Sequence, residues 1–393
     1  MQEYDVVVVG GGIHGAGVLQ AAVAGGYRAL LLEQRGIASG TSSRSSKLIH
    51  GGLRYLESGQ FALVRESLRE REFHLRVAPD LVKLKPFFIP VYKETRRRPW
   101  QLLIGLSVYA LLGGFSKGTG FGTVPRSEWA SLDGLDTEGL QAVIRYYDAQ
   151  TDDALLTRAV IASAVELGAD IALPATFLAA NLEENGVALA YYFNGARMEC
   201  RARVLVNAAG PWAPQVAAMI RPAIPIPAVD LVQGTHIVVP RPVDAGIYYV
   251  ESPGDGRAVF FMPWHDSMMI GTTETPYYGD PARVQPLPEE EEYLLAVARR
   301  YMTTCRGLTR ADITTRFAGL RVLPVASASA FSRSRETIFT TDRDPGPRVL
   351  GIYGGKLTGW RAAAAHVLAT LGTSLPARVA RASTSELPLR RTT

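Results

Sequence analysis

Residues 4–17 read Y-D-V-V-V-V-G-G-G-I-H-G-A-G, and this stretch decides the fold. A β-branched run ends at glycines with the G-x-G-x-x-G spacing. That spacing permits a tight turn, a close approach of backbone to a pyrophosphate, and close packing of helix on strand. The pattern predicts a strand, a glycine turn and a helix whose first N–H groups face a phosphate. The residues expected to form this site are Gly10, Gly12, Ile13, His14 and Gly15.

A second apolar run, residues 27–32, follows the small-residue helix and ends at Glu33. An acid about twenty residues after such a glycine turn binds a ribose hydroxyl of a dinucleotide. The two runs together predict a Rossmann-type dinucleotide site, with Glu33 and Gln34 at the ribose. The pattern fits NAD and FAD equally well.

Composition bounds the class of protein. The 393 residues suit two domains, and a hydrophobic content of 47% is ordinary for a soluble protein. The formal net charge of +5 fits an anionic substrate, an acidic membrane surface or solubility alone. The chain shows no basic helix, zinc spacing or RNA-binding signature, so no nucleic-acid partner is expected. Cys200 and Cys305 are too isolated for a disulfide framework or a metal site, and no metal is expected.

The first strand begins almost at the N-terminus, which leaves no room for a signal peptide and predicts a cytoplasmic location. Residues 96–100 read R-R-R-P-W and lead into an apolar stretch, 102–115, that is too short and glycine-broken to span a bilayer. The pattern favours a buried helix under a surface arginine cluster. The alternative is a helix lying in a membrane interface through residues 96–115.

A hydroxyl-rich loop, residues 36–46, leads into S-S-K-L-I-H-G-G-L-R-Y-L-E at 45–57. Small hydroxyls and free N–H groups suit phosphate or ring-edge contacts, and a solvated serine-rich loop is the alternative. The run from Thr41 to Glu57 closely resembles the FAD-dependent glycerol-3-phosphate dehydrogenases, within the flavoprotein class of glycine and D-amino-acid oxidases. The resemblance extends from Asp5 to about Leu371.

The resemblance implies an α/β fold: a Rossmann-type FAD-binding domain with an antiparallel-sheet substrate domain, the glutathione-reductase-2-like arrangement. Alternating apolar runs after Pro222 also predict an antiparallel sheet. The acidic run at 289–292 predicts a solvated helix start rather than a site. The expected division is an FAD-binding domain of 1–80, 146–221 and 340–375, a substrate domain of 81–145 and 222–339, and a tail of 376–393; the polar, proline-bearing residues after Gly372 are expected to be disordered.

The resemblance makes the dinucleotide FAD. Two later motifs, N-A-A-G-P-W at 207–212 and G-G-K-L-T at 354–358, would close over it. Beyond the first turn and its acid, the residues that the resemblance assigns to FAD are Thr41, Ser42, Ser46, Lys47, Leu48, His50, Gly51, Gly52, Ala209, Gly210, Gly355, Lys356, Leu357 and Thr358.

Three cations around one phosphate are also implied by the resemblance: Arg54, Arg321 and Lys356. Arginine forks bind phosphate oxygens in pairs, and lysine adds a point charge. The hydrogen-bond partners that would complete the substrate pocket are Tyr55, His236 and Thr273.

The implied reaction is hydride transfer from sn-glycerol 3-phosphate to flavin N5, which gives dihydroxyacetone phosphate. His50, His236 and Arg321 form the expected catalytic set, and either histidine is a candidate base because histidine titrates near neutral pH. Electrons would pass to quinone or oxygen. Bacterial members of the family often sit on the inner face of the membrane, which adds weight to an interfacial role for 96–115.

Departures from the family pattern leave the substrate open. Glu274 stands where the family usually has Asp, G-L-R-V-L at 319–323 replaces G-V-R-P-L, and the C-terminal helical domain of many members is lacking. Another small hydroxyalkyl phosphate or phosphonate is therefore an alternative substrate. An amine or amino-acid oxidase of the same class needs one arginine for a carboxylate, so the presence of three cations argues against that activity. The retention of these cations also argues against a flavin-bound module without catalysis.

Overall fold

The computed structural model describes residues 1–325 and 336–391. In chain order the strands are β1 (Gln2–Val9), β2 (Ala29–Leu32), β3 (Leu48–Ile49), β4 (Val82–Tyr92), β5 (Phe121–Thr123), β6 (Leu140–Thr151), β7 (Asp170–Ala172), β8 (Ala175–Glu183), β9 (Gly186–Phe193), β10 (Ala196–Asn207), β11 (Ile220–Arg221), β12 (Val229–Val239), β13 (Ile247–Glu251), β14 (Ala258–Trp264), β15 (Ser267–Gly271), β16 (Thr275–Tyr277), β17 (Thr315–Pro324), β18 (Thr337–Thr341) and β19 (Val349–Gly354). The helices are α1 (Ile13–Ala24), α2 (Phe61–Val77), α3 (Pro99–Leu112), α4 (Asp153–Glu166), α5 (Ala213–Ala218), α6 (Pro288–Tyr301) and α7 (Trp360–Leu371).

The first sheet has a parallel centre in the order β7-β2-β1-β10-β19. Strands β2 and β19 and the end of β1 are continuous buried apolar runs, as expected for strands buried on both faces. Residues of α1, α4 and α7 pack in one core with one face, and β8 and β9 contribute to the core on the other. Because parallel strands end at the same edge, the segments that follow β1, β2, β10 and β19 meet there.

The second sheet is mainly antiparallel, in the order β16-β12-β15-β14-β13-β4-β6-β3, with β17 paired to β12 and β5 to β6. One pair departs from this pattern, since β4 and β13 run parallel. Apolar residues of α6 pack on one face, and Leu102 and Leu106 of α3 pack in the core on the other.

Two of the expected domain boundaries fall inside strands. Residue 146 lies within β6, which pairs with β4 along its length and belongs wholly to the second sheet. Residue 340 lies within β18, which pairs with β19 in the first sheet. The sheets therefore place all of 140–151 with the second sheet and 337–341 with the first. The rest of the domain division stays a prediction.

The segment 376–391 packs against the first sheet's helices, so its expected disorder is wrong. Arg381 N donates to Ala24 O at 2.7 Å, and Leu389 N donates to Val77 O at 2.7 Å. Ala24 and Val77 are the last residues of α1 and α2, where helical carbonyls lack an intrahelical partner. The polar composition concealed this because backbone N–H groups and the single buried Leu389 make these contacts.

The acidic start of α6 is also only partly solvated, contrary to expectation. Glu290 and Glu291 are 5% and 2% exposed. They lie one turn before Leu294 and Leu295, which are buried, so the four residues share the helix face that meets the second sheet. The uninterrupted run of four acids gave no sign that two of them share a helix face with Leu294 and Leu295.

Gly15→Ala tests the close packing of the first turn. A Cβ on Gly15 would lie 1.9 Å from Gly10 O, so we expect a loss of at least about 1–3 kcal/mol in the free energy of unfolding, and reduced FAD content. Gly105→Ala in α3 is the matched control, because no atom lies within 4 Å of its Cβ position. It should stabilise the protein by about 0.5–1 kcal/mol. Urea unfolding and flavin absorbance measure both effects, and equal behaviour of the two variants would contradict the packing.

Candidate functional site

A cavity of about 700 Å³ is lined by residues of both sheets. This volume lies in the range of small-molecule and cofactor sites. One side of its wall is formed by the segments after the parallel strands of the first sheet. The other side comes from β12, β14 and β17 of the second sheet.

The first glycine turn forms one end of the cavity. Gly10 has φ +110°, and a Cβ there would lie 2.6 Å from Ala208 O, so the turn after β1 touches the segment after β10. Gly10, Gly12, Ile13 and His14 line the cavity. Gly15 does not, because it packs against Gly10 and sets the distance between helix and strand.

Glu33 lies beside this turn, as predicted for a ribose ligand. Its Oε2 accepts from Gly11 N at 2.7 Å, and its Oε1 accepts from Arg35 N at 2.8 Å. Glu33 and Gln34 both line the cavity. An acceptor carboxylate, a helix N-terminus and two close glycines fit the ribose and pyrophosphate of a dinucleotide.

The hydroxyl-rich loop and the residues that follow it supply part of the cavity wall: Thr41, Ser42, Ser46, Leu48, His50 and Gly52. Thr41 Oγ1 donates to Leu320 O at 2.8 Å, which joins the loop to β17. Ser42 Oγ accepts from Ile13 N at 2.9 Å, which joins it to the start of α1. The loop therefore joins β17 of the second sheet to the start of α1 at the cavity.

Two expected FAD ligands from this run lie outside the cavity wall. Lys47 Nζ donates to Asp153 Oδ1 at 2.5 Å in a buried ion pair. Gly51 N donates to Tyr109 Oη at 2.9 Å, and that hydroxyl donates to Asp148 Oδ2 at 2.7 Å. Both residues hold the loop in place and do not line the cavity. Their partners are far away in sequence, so the local motif could not reveal this role.

The last glycine turn packs directly on the first. Gly355 has φ +89°, and a Cβ there would lie 2.5 Å from His14 Nε2. Thr358 Oγ1 accepts from His50 N at 3.2 Å. The predicted FAD ligands of this turn and of the segment after β10 that line the cavity are Ala209, Gly210, Gly355, Lys356, Leu357 and Thr358.

The three predicted phosphate ligands all line this one cavity. Lys356 Nζ lies 3.8 Å from the centroid of the Tyr55 ring, and Arg54 Cζ lies 5.6 Å from it, so one ring orients two cations. Arg321 enters from β17. Its Nη1 donates to Thr273 O at 3.1 Å, and its Nη2 donates to Thr272 Oγ1 at 2.9 Å.

Thr273 does not present its side chain to the cavity, although it was expected to bind substrate. Its Oγ1 donates to Glu290 at 2.8 Å and accepts from Thr235 N at 2.9 Å. The neighbouring Thr272 and Glu274 line the cavity instead. Glu274 Oε1 lies 4.0 Å from Arg321 Nη1.

Arg257 and Tyr249 line the same cavity and were not predicted. Arg257 Nη1 donates to Glu274 O at 3.1 Å, and its Nε lies 3.3 Å from Asp255 Oδ2. Burial raises the pKa of Tyr249, so its phenol stays neutral. Arg257 follows a glycine turn and Tyr249 lies in a short strand, and neither position carries a motif.

The two candidate bases have different surroundings. His50 lines the cavity and is half-buried. His236 is buried, its Nε2 lies 2.9 Å from Ser46 Oγ, and its ring stacks on Phe317. Burial, then the nearby charges of Arg321 and Lys47, holds the pKa of His236 well below 6.5. His236 is therefore neutral at physiological pH and a weak proton acceptor.

Cys200 and Cys305 are buried free thiols among the described residues. Burial raises the pKa of both thiols, which lowers their reactivity. Within 1–325 and 336–391, no group of three or more His, Cys, Asp or Glu side chains is arranged to hold a metal ion.

The sequence matches the family described as FAD dependent oxidoreductase over residues 5–369. The chain belongs to this family, and the expected FAD cofactor and fold class are confirmed at that level. The resemblance to glycerol-3-phosphate dehydrogenases is confirmed as well. The glycerol-3-phosphate dehydrogenase 2 of Mycobacterium tuberculosis H37Rv is 36% identical over 395 residues, which cover 99% of this chain and 66% of that protein.

A second relative, the D-erythritol 1-phosphate dehydrogenase of Brucella abortus, is 35% identical over 364 residues, which cover 91% of this chain and 71% of that protein. The fold resembles the glycerol-3-phosphate dehydrogenase of Bacillus halodurans solved in complex with FAD. That structure has a TM-score of 0.73 and 27% identity, and the match covers 99% of this chain and 68% of that one. This chain spans about two thirds of the length of these proteins.

Acid should destabilise the protein through His74, which supports the last glycine turn. Its Nε2 lies 3.0 Å from Thr358 O, and burial lowers its pKa from 6.5 to about 4. The unfolded chain therefore binds the proton first. The stabilisation is complete above pH 6.5 and is lost as the pH falls towards 4.

Between pH 7 and pH 5 we expect this residue to cost about 2 kcal/mol of folding free energy. His74→Asn should remove that part of the pH dependence, and His366→Asn at an exposed position should leave it unchanged. Urea unfolding at both pH values measures the difference. An unaltered pH dependence in His74→Asn would show that the buried imidazole is not responsible.

Proposed function

We propose that the protein oxidises a small phosphorylated alcohol, with sn-glycerol 3-phosphate as the leading substrate. FAD, when bound, accepts the hydride from the alcohol carbon. The observation that carries the proposal is that Arg54, Arg321 and Lys356 line the cavity that also contains the dinucleotide-type turn. The similarity to glycerol-3-phosphate dehydrogenases supports the same substrate class.

The basic side chains would bind the phosphate and so fix the position of the alcohol carbon a few bonds away. Among the described residues that line the cavity, basic side chains outnumber acidic ones: Arg35, Arg44, Arg54, Arg257, Arg321 and Lys356 against Glu33 and Glu274. This excess attracts a phosphate dianion. Holding the phosphate restricts the reacting carbon to one place, which is the contribution of proximity to catalysis.

His50 is the favoured base, and His236 a hydrogen-bond partner. Removal of hydride from a secondary alcohol requires that the hydroxyl proton leave to an acceptor. His236 accepts a proton weakly because it is buried near Arg321 and Lys47. His50 lies on the loop that carries Arg54, close in sequence to the expected phosphate ligand, and lines the cavity.

A longer polyol phosphate is the second candidate substrate. Glu274 and Arg257 add polar groups to the cavity wall beyond the three expected cations. A carboxylate accepts hydrogen bonds from hydroxyls, so Glu274 would favour a substrate with an additional hydroxyl. The 35% identity to a D-erythritol 1-phosphate dehydrogenase supports this alternative.

Anaerobic reduction of the flavin identifies the substrate. We expect the yellow protein to bleach with sn-glycerol 3-phosphate at millimolar concentration and to stay oxidised with amino acids. Faster bleaching with a four-carbon polyol phosphate or a hydroxyalkyl phosphonate would move the substrate to that compound. Peroxide release with an amino acid, and no bleaching with any phosphate ester, would contradict the proposal. Reoxidation by a soluble quinone or by oxygen then distinguishes the two expected electron acceptors.

Arg321→Ala should raise the substrate KM while FAD remains bound. Loss of a charge-assisted contact of about 2–3 kcal/mol lowers kcat/KM by about 30-fold to 160-fold. Arg316→Ala is the matched control, because Arg316 is on the same strand and pairs with Glu291 instead. Loss of flavin in Arg321→Ala, with the substrate KM unchanged, would assign Arg321 to the fold rather than to the substrate.

We also propose that α3 lies against an anionic membrane surface. No helix of the described residues is long and apolar enough to cross a bilayer. The favoured expectation of a buried helix is wrong for one face, which exposes 62% of Trp100, 57% of Ile104 and 62% of Leu111, followed by Phe115 at 71%. Exposed Arg96 and Arg98 precede this apolar strip, which is the composition of an interfacial helix.

Vesicle sedimentation tests the membrane contact. The protein should sediment with vesicles containing anionic phospholipid and remain in solution with neutral vesicles or at high salt. Ile104→Glu with Leu111→Glu should abolish sedimentation, whereas Val165→Glu, at an exposed position of α4, should not. Equal sedimentation of all three proteins would contradict the contact.

A further inference from the structure

Glu290 is a buried carboxylate that accepts hydrogen bonds from five donors. It lies in the first turn of α6 and is 5% exposed. Its Oε2 accepts from Gln233 Nε2 at 2.6 Å, Thr235 Oγ1 at 2.6 Å and Leu287 N at 3.1 Å. Its Oε1 accepts from Thr273 Oγ1 at 2.8 Å and Thr275 Oγ1 at 2.7 Å.

Three of these donors, on Gln233, Thr235 and Thr273, come from the two surfaces that hold Arg321. Gln233 and Thr235 flank Gly234 on β12, and a Cβ on Gly234 would lie 2.5 Å from Arg321 Nη2 and 2.7 Å from Nη1. The guanidinium therefore lies directly on the backbone of this glycine. Only a residue without a side chain leaves room for it.

The second surface is the turn 272–274 between β15 and β16. Arg321 donates to the carbonyl of Thr273 and to the hydroxyl of Thr272. The side chain of Thr273 points the other way and donates to Glu290. One carboxylate thus fixes the glycine under the guanidinium and the turn that receives its N–H groups.

We propose that Glu290 is a positioning residue for Arg321 and sets the affinity of the cavity for phosphate. The proposal rests on the proposed phosphate-binding role of Arg321. A carboxylate only accepts hydrogen bonds, so every group that contacts Glu290 must donate, and the turn and β12 are held in one arrangement. A guanidinium held in one orientation loses less conformational entropy when it binds an anion.

Glu291 provides a matched control on the next position of the same helix. It is also buried, at 2% exposed, and its oxygens accept from Arg310 Nε at 2.8 Å and Arg316 Nη1 at 3.0 Å. Glu290→Gln and Glu291→Gln therefore both replace a buried carboxylate of α6 by an amide. Only the first change alters the contacts of the turn and of β12 around Arg321.

Calorimetric titration of the FAD-loaded protein with inorganic phosphate tests the proposal without turnover. Glu290→Gln should raise the phosphate Kd about tenfold, since the amide places a donor where hydroxyl and amide donors converge. Glu291→Gln should change it by less than about twofold. In steady-state assays Glu290→Gln should raise KM in proportion and leave kcat at saturation within about twofold.

An unchanged phosphate Kd in folded Glu290→Gln, or an equal increase in Glu291→Gln, would overturn the positioning role. If Glu290→Gln does not fold, Thr275→Val removes a single donor and should raise the phosphate Kd by a smaller factor; an unchanged Kd there would equally overturn it. If the wild-type protein binds phosphate but glycerol 3-phosphate does not reduce its flavin, the proposed function alone is contradicted. Wild-type protein that binds no phosphate would contradict both.

Discussion

The close approach of backbone segments at the end of the parallel strands is the constraint on which the rest of the structure depends. The turns after β1 and β19 touch at Gly355 and His14, and the segment after β10 touches Gly10. A side chain at either glycine would separate these segments. Because they stay in contact, the first sheet presents one continuous surface to a dinucleotide, and its helix N-terminus faces the same cavity.

In the proposed function, the second sheet supplies groups that bind the substrate. Its strand β17 brings Arg321 to the wall opposite the glycine turns, and the loop at 41–57 brings Arg54 and Tyr55. The hydroxyls of that loop hydrogen-bond to β17 and to the first residue of α1, so the loop joins the two sides of the cavity wall. Behind this wall, buried acids such as Asp153 and Glu290 fix the loop and the turn that carry the functional groups.

The parts of the fold that depend on local rules were predictable from the sequence. The strand, glycine turn and helix at 4–17 and the acid at Glu33 follow from backbone geometry within a few dozen residues. Lys47 and Thr273 were predicted to lie in the site because the motifs around them line the cavity. Their side chains instead bind acids from other parts of the chain. Arg257 and Glu290 were missed because their roles depend on residues that approach only in the folded chain.

We propose that one cavity holds FAD at the glycine turns and the substrate phosphate at the three cations. A crystal structure of the FAD-loaded protein with dihydroxyacetone phosphate tests it most directly. The account predicts phosphate oxygens about 2.7–2.9 Å from nitrogens of Arg54, Arg321 and Lys356. A phosphate bound elsewhere in the cavity or on the surface, with these side chains directed away from it, would contradict the account.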